Sequence, residues 1–259
     1  MKSKLRAATV HLAVSAAAAG VLLWVLVRIW YPMPYFVADG GWQGIRLVVL
    51  VDLVMGPVLS LIIYNRRKRL RTLVLDYALI ASLQALALGL GVWTVFQQRT
   101  ALVVFSDSAL YTVSSDTARG LGPRVRELLG RSARVPAFAA VDMSSDPERQ
   151  QTLRRESLTG GRPLYLRSDL LEPFVCSDLT GWGSDGLDPW GKDAKEAAPA
   201  FLREAEELLR ELGVGHEQLL FLPMTARYKN LTLVFRRDDC TQLAWLRGWR
   251  EPGKDGGGS

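Results

Sequence analysis

The chain is 259 residues long, 49% hydrophobic and 22% charged, a balance that excludes disordered and collagen-like chains and leaves room for two domains of about 100–200 residues each. Its formal net charge of +6 would suggest a nucleic-acid partner, until the charges are placed along the chain. Residues 1–99 carry 11 Lys/Arg against 3 Asp, whereas residues 100–259 carry 21 Lys/Arg against 23 Asp/Glu, so the basicity belongs to the apolar first third and no nucleic-acid partner is implied.

From Ala7 to Trp30 the only charge is Arg28, near the far end. Runs from Leu47 to Tyr64 and from Thr72 to Phe96 contain one charge each, Asp52 and Asp76. Each is long enough to cross a hydrocarbon core of about 30 Å, which takes ~20 residues at ~1.5 Å per residue. The sequence therefore predicts a bundle of three transmembrane helices over residues 1–99. A signal peptide is the other reading of the first run, which has a basic start and small residues from Ser15 to Gly20. The apolar run continues past that stretch, so cleavage there would leave half a span, and an uncleaved anchor fits better.

Orientation follows from the basic residues flanking the spans. Lys2, Lys4 and Arg6 precede the first, and Arg66, Arg67, Lys68, Arg69 and Arg71 lie between the second and third. Both segments are expected on the cytoplasmic side, with membrane lipids as a partner of the basic link. The loop from Tyr31 to Arg46 offers Tyr31, Tyr35 and Trp42 to an outer aromatic belt. Everything after Phe96 then lies outside, which in a bacterium is the periplasm, with the chain in the inner membrane.

Charged groups in lipid cost about 2.5–3.5 kcal/mol each on insertion scales, so each asks for a partner. Matching depths suggest two interspan pairs, Arg28 with Asp52 and His11 with Asp76; snorkelling of Arg28 and Asp76 to the nearest interface is the other reading. Gly56-Pro57 predicts a kink in the second span. Together with Gln84, whose amide can bond across a helix interface, it outlines a groove for a partner helix bounded by Asp52, Gly56, Pro57, Asp76 and Gln84.

The remainder reads as an α+β domain over residues 100–250, followed by a flexible tail at 251–259 rich in glycine. Ala101 to Phe105 and Leu110 to Val113 form one expected hairpin, and Leu231 to Phe235 and Gln242 to Leu246 a second. Short helices are expected at 120–130 and 147–158, with a long amphipathic helix between Lys195 and Leu212. No catalytic, cofactor or metal site stands out. His216 lies beside Glu217 without a nucleophile signature; Gly181, Gly183 and Gly186 spell a dinucleotide motif that follows no clear strand; Asp178, Asp185, Asp188 and Asp193 miss the calcium-loop spacing. Cys176 and Cys240 allow one disulfide in an oxidising compartment, if the fold brings them together.

The chain resembles the type IV pilin accessory proteins of the TfpX/TfpZ type, which are related to fimbrial assembly proteins. The resemblance is carried by MKSKLRAATVHL, WYPMPY, VDLVMGPVLSLIIY, LDYALIASLQALALGLGVWTVFQQR, ALVVF, GGRPLY and LPMTARYKNLTLVFRRDDCTQLAWLRGW. In the last hairpin, where a glycine turn is looked for, Asp238-Asp239-Cys240 stands instead. The resemblance implies a non-enzymatic, chaperone-like factor that assists the stability or assembly of a cognate major type IV pilin, with the pilus assembly machinery as a further partner; the groove around Gly56, Pro57 and Gln84 is then expected to hold the pilin's transmembrane helix and the outer domain its periplasmic head. A membrane-anchored periplasmic sensor or regulator of pilus biogenesis is the alternative, although the expected cytoplasmic segments are short for an output surface.

Overall fold

The computed structural model describes residues 2–48, 70–131, 136–143, 147–175, 187–191, 193 and 195–250, in two compact units, Met1–Arg99 and Thr100–Ser259. The first opens with helix α1 (Lys2–Val25), which passes into a π-helical turn at Leu26–Trp30. Short helices α2 (Tyr35–Ala38) and α3 (Gly41–Val48) follow, and α4 (Leu70–Gln98) closes the unit. Leu12–Trp30 and Val74–Gln98 are long and apolar enough to cross a membrane. Their large apolar side chains, among them Val14, Val21, Leu79 and Leu83, are exposed, whereas a helix packed in a soluble core would bury such a stripe.

The expectation of three transmembrane helices is corrected: the described residues hold two helices of that kind. The run from Leu47 to Tyr64 begins inside α3 and from residue 49 onward lies outside the described residues.

The second unit is also built differently from the expected α+β domain with two hairpins. Its strands are β1 (Thr100–Ser106), β2 (Ala109–Ser114), β3 (Ala137–Val141), β4 (Leu171–Pro173), β5 (Leu219–Thr225), β6 (Leu231–Arg236) and β7 (Gln242–Arg247). All belong to one seven-stranded mixed sheet in the order β4-β3-β1-β2-β5-β6-β7. The hairpins β1–β2 and β6–β7 are present, but β5 pairs parallel with β2 and joins them, while β3 pairs parallel with β1. Parallel pairs need long crossovers, so their partners are distant in sequence and leave no local pattern.

Helices α5 (Ser115–Gly120), α6 (Pro123–Arg131), α7 (Pro147–Leu158) and α8 (Pro199–Leu212) are bounded by recognisable chemistry. Ser114 Oγ accepts from the Thr117 backbone N–H at 3.3 Å at the start of α5, an N-cap. Pro199 opens α8 and Gly213, at φ 65°, ends it, the proline-first, glycine-last asymmetry of helix termini. One face of the sheet carries all four. Leu102, Val104, Val113 and Ala139 pack with Ala118, Val125 and Leu153 of α5, α6 and α7, and Leu219, Phe221 and Val234 pack with Phe201 and Ala205 of α8. The register places both groups on the same side, since Val104 faces Tyr111 and Tyr111 faces Thr225, two pairs of residues along from Phe221.

The other face, with Val103, Phe105, Leu220, Leu222, Leu233 and Phe235, is equally buried. Sheet curvature contributes to this. Phe138 of β3 and Phe235 of β6 meet edge to face with centroids 6.4 Å apart, although their strands are four places apart, about 19 Å in a flat sheet at ~4.8 Å per strand. The sheet therefore curls until its apolar concave face packs on itself. Register irregularities at Thr100/Leu102 in β1 and Val234/Phe235 in β6 supply the local bending that bulges provide.

At the open edge, the β7 backbone N–H of Arg247 donates to Glu204 Oε2 of α8 at 3.1 Å, and the Arg247 Nε donates to Glu204 Oε1 at 2.7 Å. Part of the edge is thus occupied by a side chain, one of the ways sheets avoid pairing with other chains. Bonding to Arg247 holds the Glu204 carboxyl below its ordinary value of 4.5. Because that value is lowered in the fold, the stabilisation is fully present above the unfolded value and is lost as pH falls through the folded one. Glu204→Gln should lower the melting temperature of the detergent-solubilised chain at neutral pH, and the difference from the parent should vanish in acid; a pH-independent difference would contradict the ion pair. Thr232 Oγ1 is buried without a hydrogen-bond partner among the described residues. Thr232→Val, which keeps the shape and removes the orphan hydroxyl, should raise stability by about 1 kcal/mol in a denaturant titration.

Candidate functional site

An apolar helix that ends at a protein segment must have its last carbonyls satisfied, because the final four have no partner within the helix. In α4 these include Val95 and Phe96. Tyr31 Oη donates to the Val95 carbonyl at 3.0 Å, and the Arg99 guanidinium donates to the Phe96 carbonyl at 3.0 Å while lying 3.7 Å from the Phe96 ring centroid. A cation there also complements the negative end of the helix dipole. Residues 26–46 thus form a cap on the end of α4.

The cap folds as it does because Pro32 and Pro34 flank Met33 and cannot continue the preceding helix. The Met33–Pro34 peptide is cis. The π-helical turn closes with the Tyr31 N–H on the Leu26 carbonyl at 2.7 Å, and α2 closes with the Asp39 N–H on the Tyr35 carbonyl at 2.9 Å. Leu26, Tyr31 and Phe36 form its buried centre, with Val95 packed against them. Trp30 meets Phe96 edge to face at 4.9 Å, Tyr31 meets Phe36 at 6.5 Å and Phe36 meets Trp42 at 5.5 Å. Two glycines permit this density: a Cβ on Gly41 would lie 2.2 Å from Phe36 Cδ2, and one on Gly44 would lie 2.9 Å from Val95 Cγ2.

The expected aromatic belt is therefore redrawn. Tyr31 and Tyr35 are 2% and 4% exposed, while Trp42 is 54% exposed. Burial, followed by the nearby Asp39 carboxyl, pushes the Tyr35 phenol well above its ordinary value. The density of Pro and Gly from Pro32 to Gly44 was the available signal for a folded cap rather than an open loop.

Of the residues expected to form a partner-helix groove, Asp76 and Gln84 are half-buried positions of α4, eight residues apart along one helix. Asp52, Gly56 and Pro57 lie outside the described residues. Arg28 is exposed in the π-helical turn, and its expected partner Asp52 is not described; His11 belongs to α1, but its side chain is outside the described ones, so neither expected pair can be placed.

In the second unit Cys240 is disulfide-bonded and takes φ 51° in the β6–β7 turn, so the left-handed position where a glycine was looked for falls on a cysteine. Asp239 steadies that turn by accepting from the Thr241 N–H at 3.0 Å and pairing with Arg236 at 3.0 Å. Cys176 lies outside the described residues, as do Asp178, Gly181, Gly183, Asp185 and Gly186. His216 is exposed beside Glu217 at 3.6 Å, and the Asp188 N–H donates to Asp193 at 2.8 Å in a local turn. Among the described residues no group of three or more His, Cys, Asp or Glu is placed to hold a metal ion. A cavity of about 130 Å³ opens at the ends of β1 and β3 beside Asp107 and Arg154, below the ~300 Å³ at which small-molecule pockets begin; Arg154 is paired with Asp107 at 2.9 Å.

The two cap tyrosines separate in their expected behaviour. Tyr31→Phe removes a bond to a helix-end carbonyl and should cost about 1 kcal/mol, whereas Tyr35→Phe removes a buried hydroxyl with no partner among the described residues and should be neutral or stabilising. Thermal unfolding of both variants in detergent checks this, and equal losses would contradict the assignment.

Residues 1–40, which hold α1, the π-helical turn and α2, match the family model of the fimbrial assembly protein FimB. The chain is 31% identical over 229 residues to the fimbrial assembly protein of serogroup I of Dichelobacter nodosus, covering 84% of each. It is 30% identical over 105 residues to the protein of serogroups C1 and C2 of the same organism, covering 40% of this chain and 80% of that one. With the serogroup E1 protein it shares 30% identity over 105 residues, 40% of this chain and 41% of that one. No solved structure matches. The 229-residue match is longer than either compact unit, so the likeness runs through both, and the chain belongs to the fimbrial assembly protein family.

Proposed function

We propose that the chain is an inner-membrane accessory factor that assists the stability or assembly of a type IV pilin without catalysing a reaction. The observation that carries this reading is family membership through both units. A subunit of a surface fibre awaiting assembly has an apolar helix in the bilayer and a folded head outside it. A factor with exposed apolar helices and a separately folded sheet unit has one surface suited to each.

The orientation reading, amino terminus in the cytoplasm and sheet unit in the periplasm, draws support from four features. The carboxyl ends of the first apolar segment and of α4 meet at the cap through Trp30 and Phe96. Thr100 follows α4 directly, so the sheet unit leaves from that end. The basic residues Lys2, Lys4, Arg6 and Arg71 stand at the opposite helix ends, as the positive-inside rule favours for the cytoplasmic side. The disulfide at Cys240 is in keeping with an oxidising compartment for the sheet unit.

Within the bilayer, the pilin helix is assigned to the α4 surface around Gln84, which is half-buried among the exposed Leu83, Leu86 and Leu90. An amide in an apolar stripe favours helix association, at about 1–2 kcal/mol in model peptides. The sheet unit then meets the head and sets which pilin is accepted. A photocrosslinker placed at Gln84 in piliated cells should capture major pilin, with a control at an exposed α7 position giving markedly less. Recovery of no pilin adduct from correctly inserted protein would overturn the assignment of the pilin helix to α4.

A further inference from the structure

The described side chains of the first unit place three exposed tryptophans near its capped end: Trp24 on α1, Trp42 on α3 and Trp93 on α4, at 60%, 54% and 59% exposure. Their levels can be compared because Trp30 and Phe96 touch, which sets the two apolar segments in register. Trp93 stands three residues before Phe96 and Trp24 six before Trp30, so they lie roughly 5 Å and 9 Å inward from that contact at ~1.5 Å per residue. Trp42 packs beside the cap centre on Phe36. The three therefore fall in a band about 10 Å deep, comparable with the interfacial layer on one side of a bilayer, ~5–8 Å.

Charge gives an independent ruler. Arg28 is exposed within this band, and Arg46 is exposed at the last turn of α3. Twenty-two residues separate Arg28 from Arg6, roughly 33 Å along α1, close to the ~30 Å hydrocarbon thickness. Trp93 stands the same number of residues from Arg71 on α4, so it falls at the level that the charges of α1 mark.

We propose that Trp24, Trp42 and Trp93 form a belt that seats this unit at the membrane–water boundary, with Arg28 and Arg46 toward the lipid phosphates and the cap lying on the headgroup layer. The partner of this surface is the bilayer interface itself. An indole suits it because the ring is apolar while its N–H seeks a polar neighbour, and the guanidinium groups complement anionic headgroups. The proposal rests on reading α1 and α4 as membrane-embedded and adds the depth at which they sit.

The test uses the full chain reconstituted into phosphatidylcholine–phosphatidylglycerol vesicles carrying a nitroxide either near the headgroup or near the end of the acyl chain. The fluorescence of Trp24→Phe, Trp42→Phe and Trp93→Phe, each subtracted from the parent, isolates the quenching of one residue. Each should be quenched about twofold more by the shallow nitroxide than by the deep one, as the interfacial position of indoles requires. Stronger quenching by the deep nitroxide, or none from a chain that floats with the vesicles, would overturn the belt and leave membrane embedding intact. A chain that does not float with the vesicles would overturn the membrane reading itself. If a variant fails to insert, 5-fluorotryptophan in the parent chain reports the same depths through nitroxide broadening of its fluorine resonances, with the same two outcomes.

Discussion

The carboxyl end of α4 is where the architecture of the first unit is decided. A long apolar helix whose flanks are exposed pairs its own backbone except at its ends, and its last carbonyls stand where the chain must turn from helix into the sheet unit. Tyr31 and Arg99 satisfy two of them. Bringing Tyr31 to that place requires the helix before it to stop, which Pro32 and Pro34 ensure, and requires the chain after it to come close, which Gly41 and Gly44 allow. The aromatic contacts of Trp30, Phe36 and Trp42 follow from that approach. The cap is one solution to one hydrogen-bonding problem, and the segment matched by the family model ends within it.

The second unit answers a different constraint. Helices are confined to one face of its sheet, so the other face must be covered in another way. Curling brings Phe138 and Phe235 together across four strand intervals and turns an apolar sheet face into a core of its own. The small Ala140 of β3, register partner of Phe105, suits a tightly curled face where bulky neighbours such as Phe105 and Phe138 already fill the space. This leaves the convex helical layer and the rim as the surfaces on which a partner can be met.

Legibility in the sequence followed the range of the interactions. The first hairpin, the second hairpin and α7 with its opening Pro147 were written in local signals of alternation, turn residues and caps. So were the apolar segments ending at Trp30 and Phe96. The parallel pairings of β3 with β1 and of β5 with β2 were not, because their partners are far along the chain. The cap was not read: the prolines and glycines of residues 32–44 carry a turn signal, but the contact of Gly44 with Val95 joins residues far apart in sequence, so Tyr31 and Tyr35 read as an exposed belt and proved to be buried. In the candidate site, Gln84 and Asp76 lie on α4, within the apolar run from Thr72 to Phe96, while the three residues expected to complete the groove, Asp52, Gly56 and Pro57, lie outside the described residues.

Family membership is the ground of the proposed account, a factor that works on fibre subunits at the membrane. The most direct test of that account is to delete the gene in a piliated host and measure major pilin in the membrane fraction and assembled pili at the cell surface, with the full chain returned in trans. The account predicts loss of surface pili, or of membrane pilin, restored by the full chain. Unchanged pilin and unchanged pili in the deletion strain would contradict it.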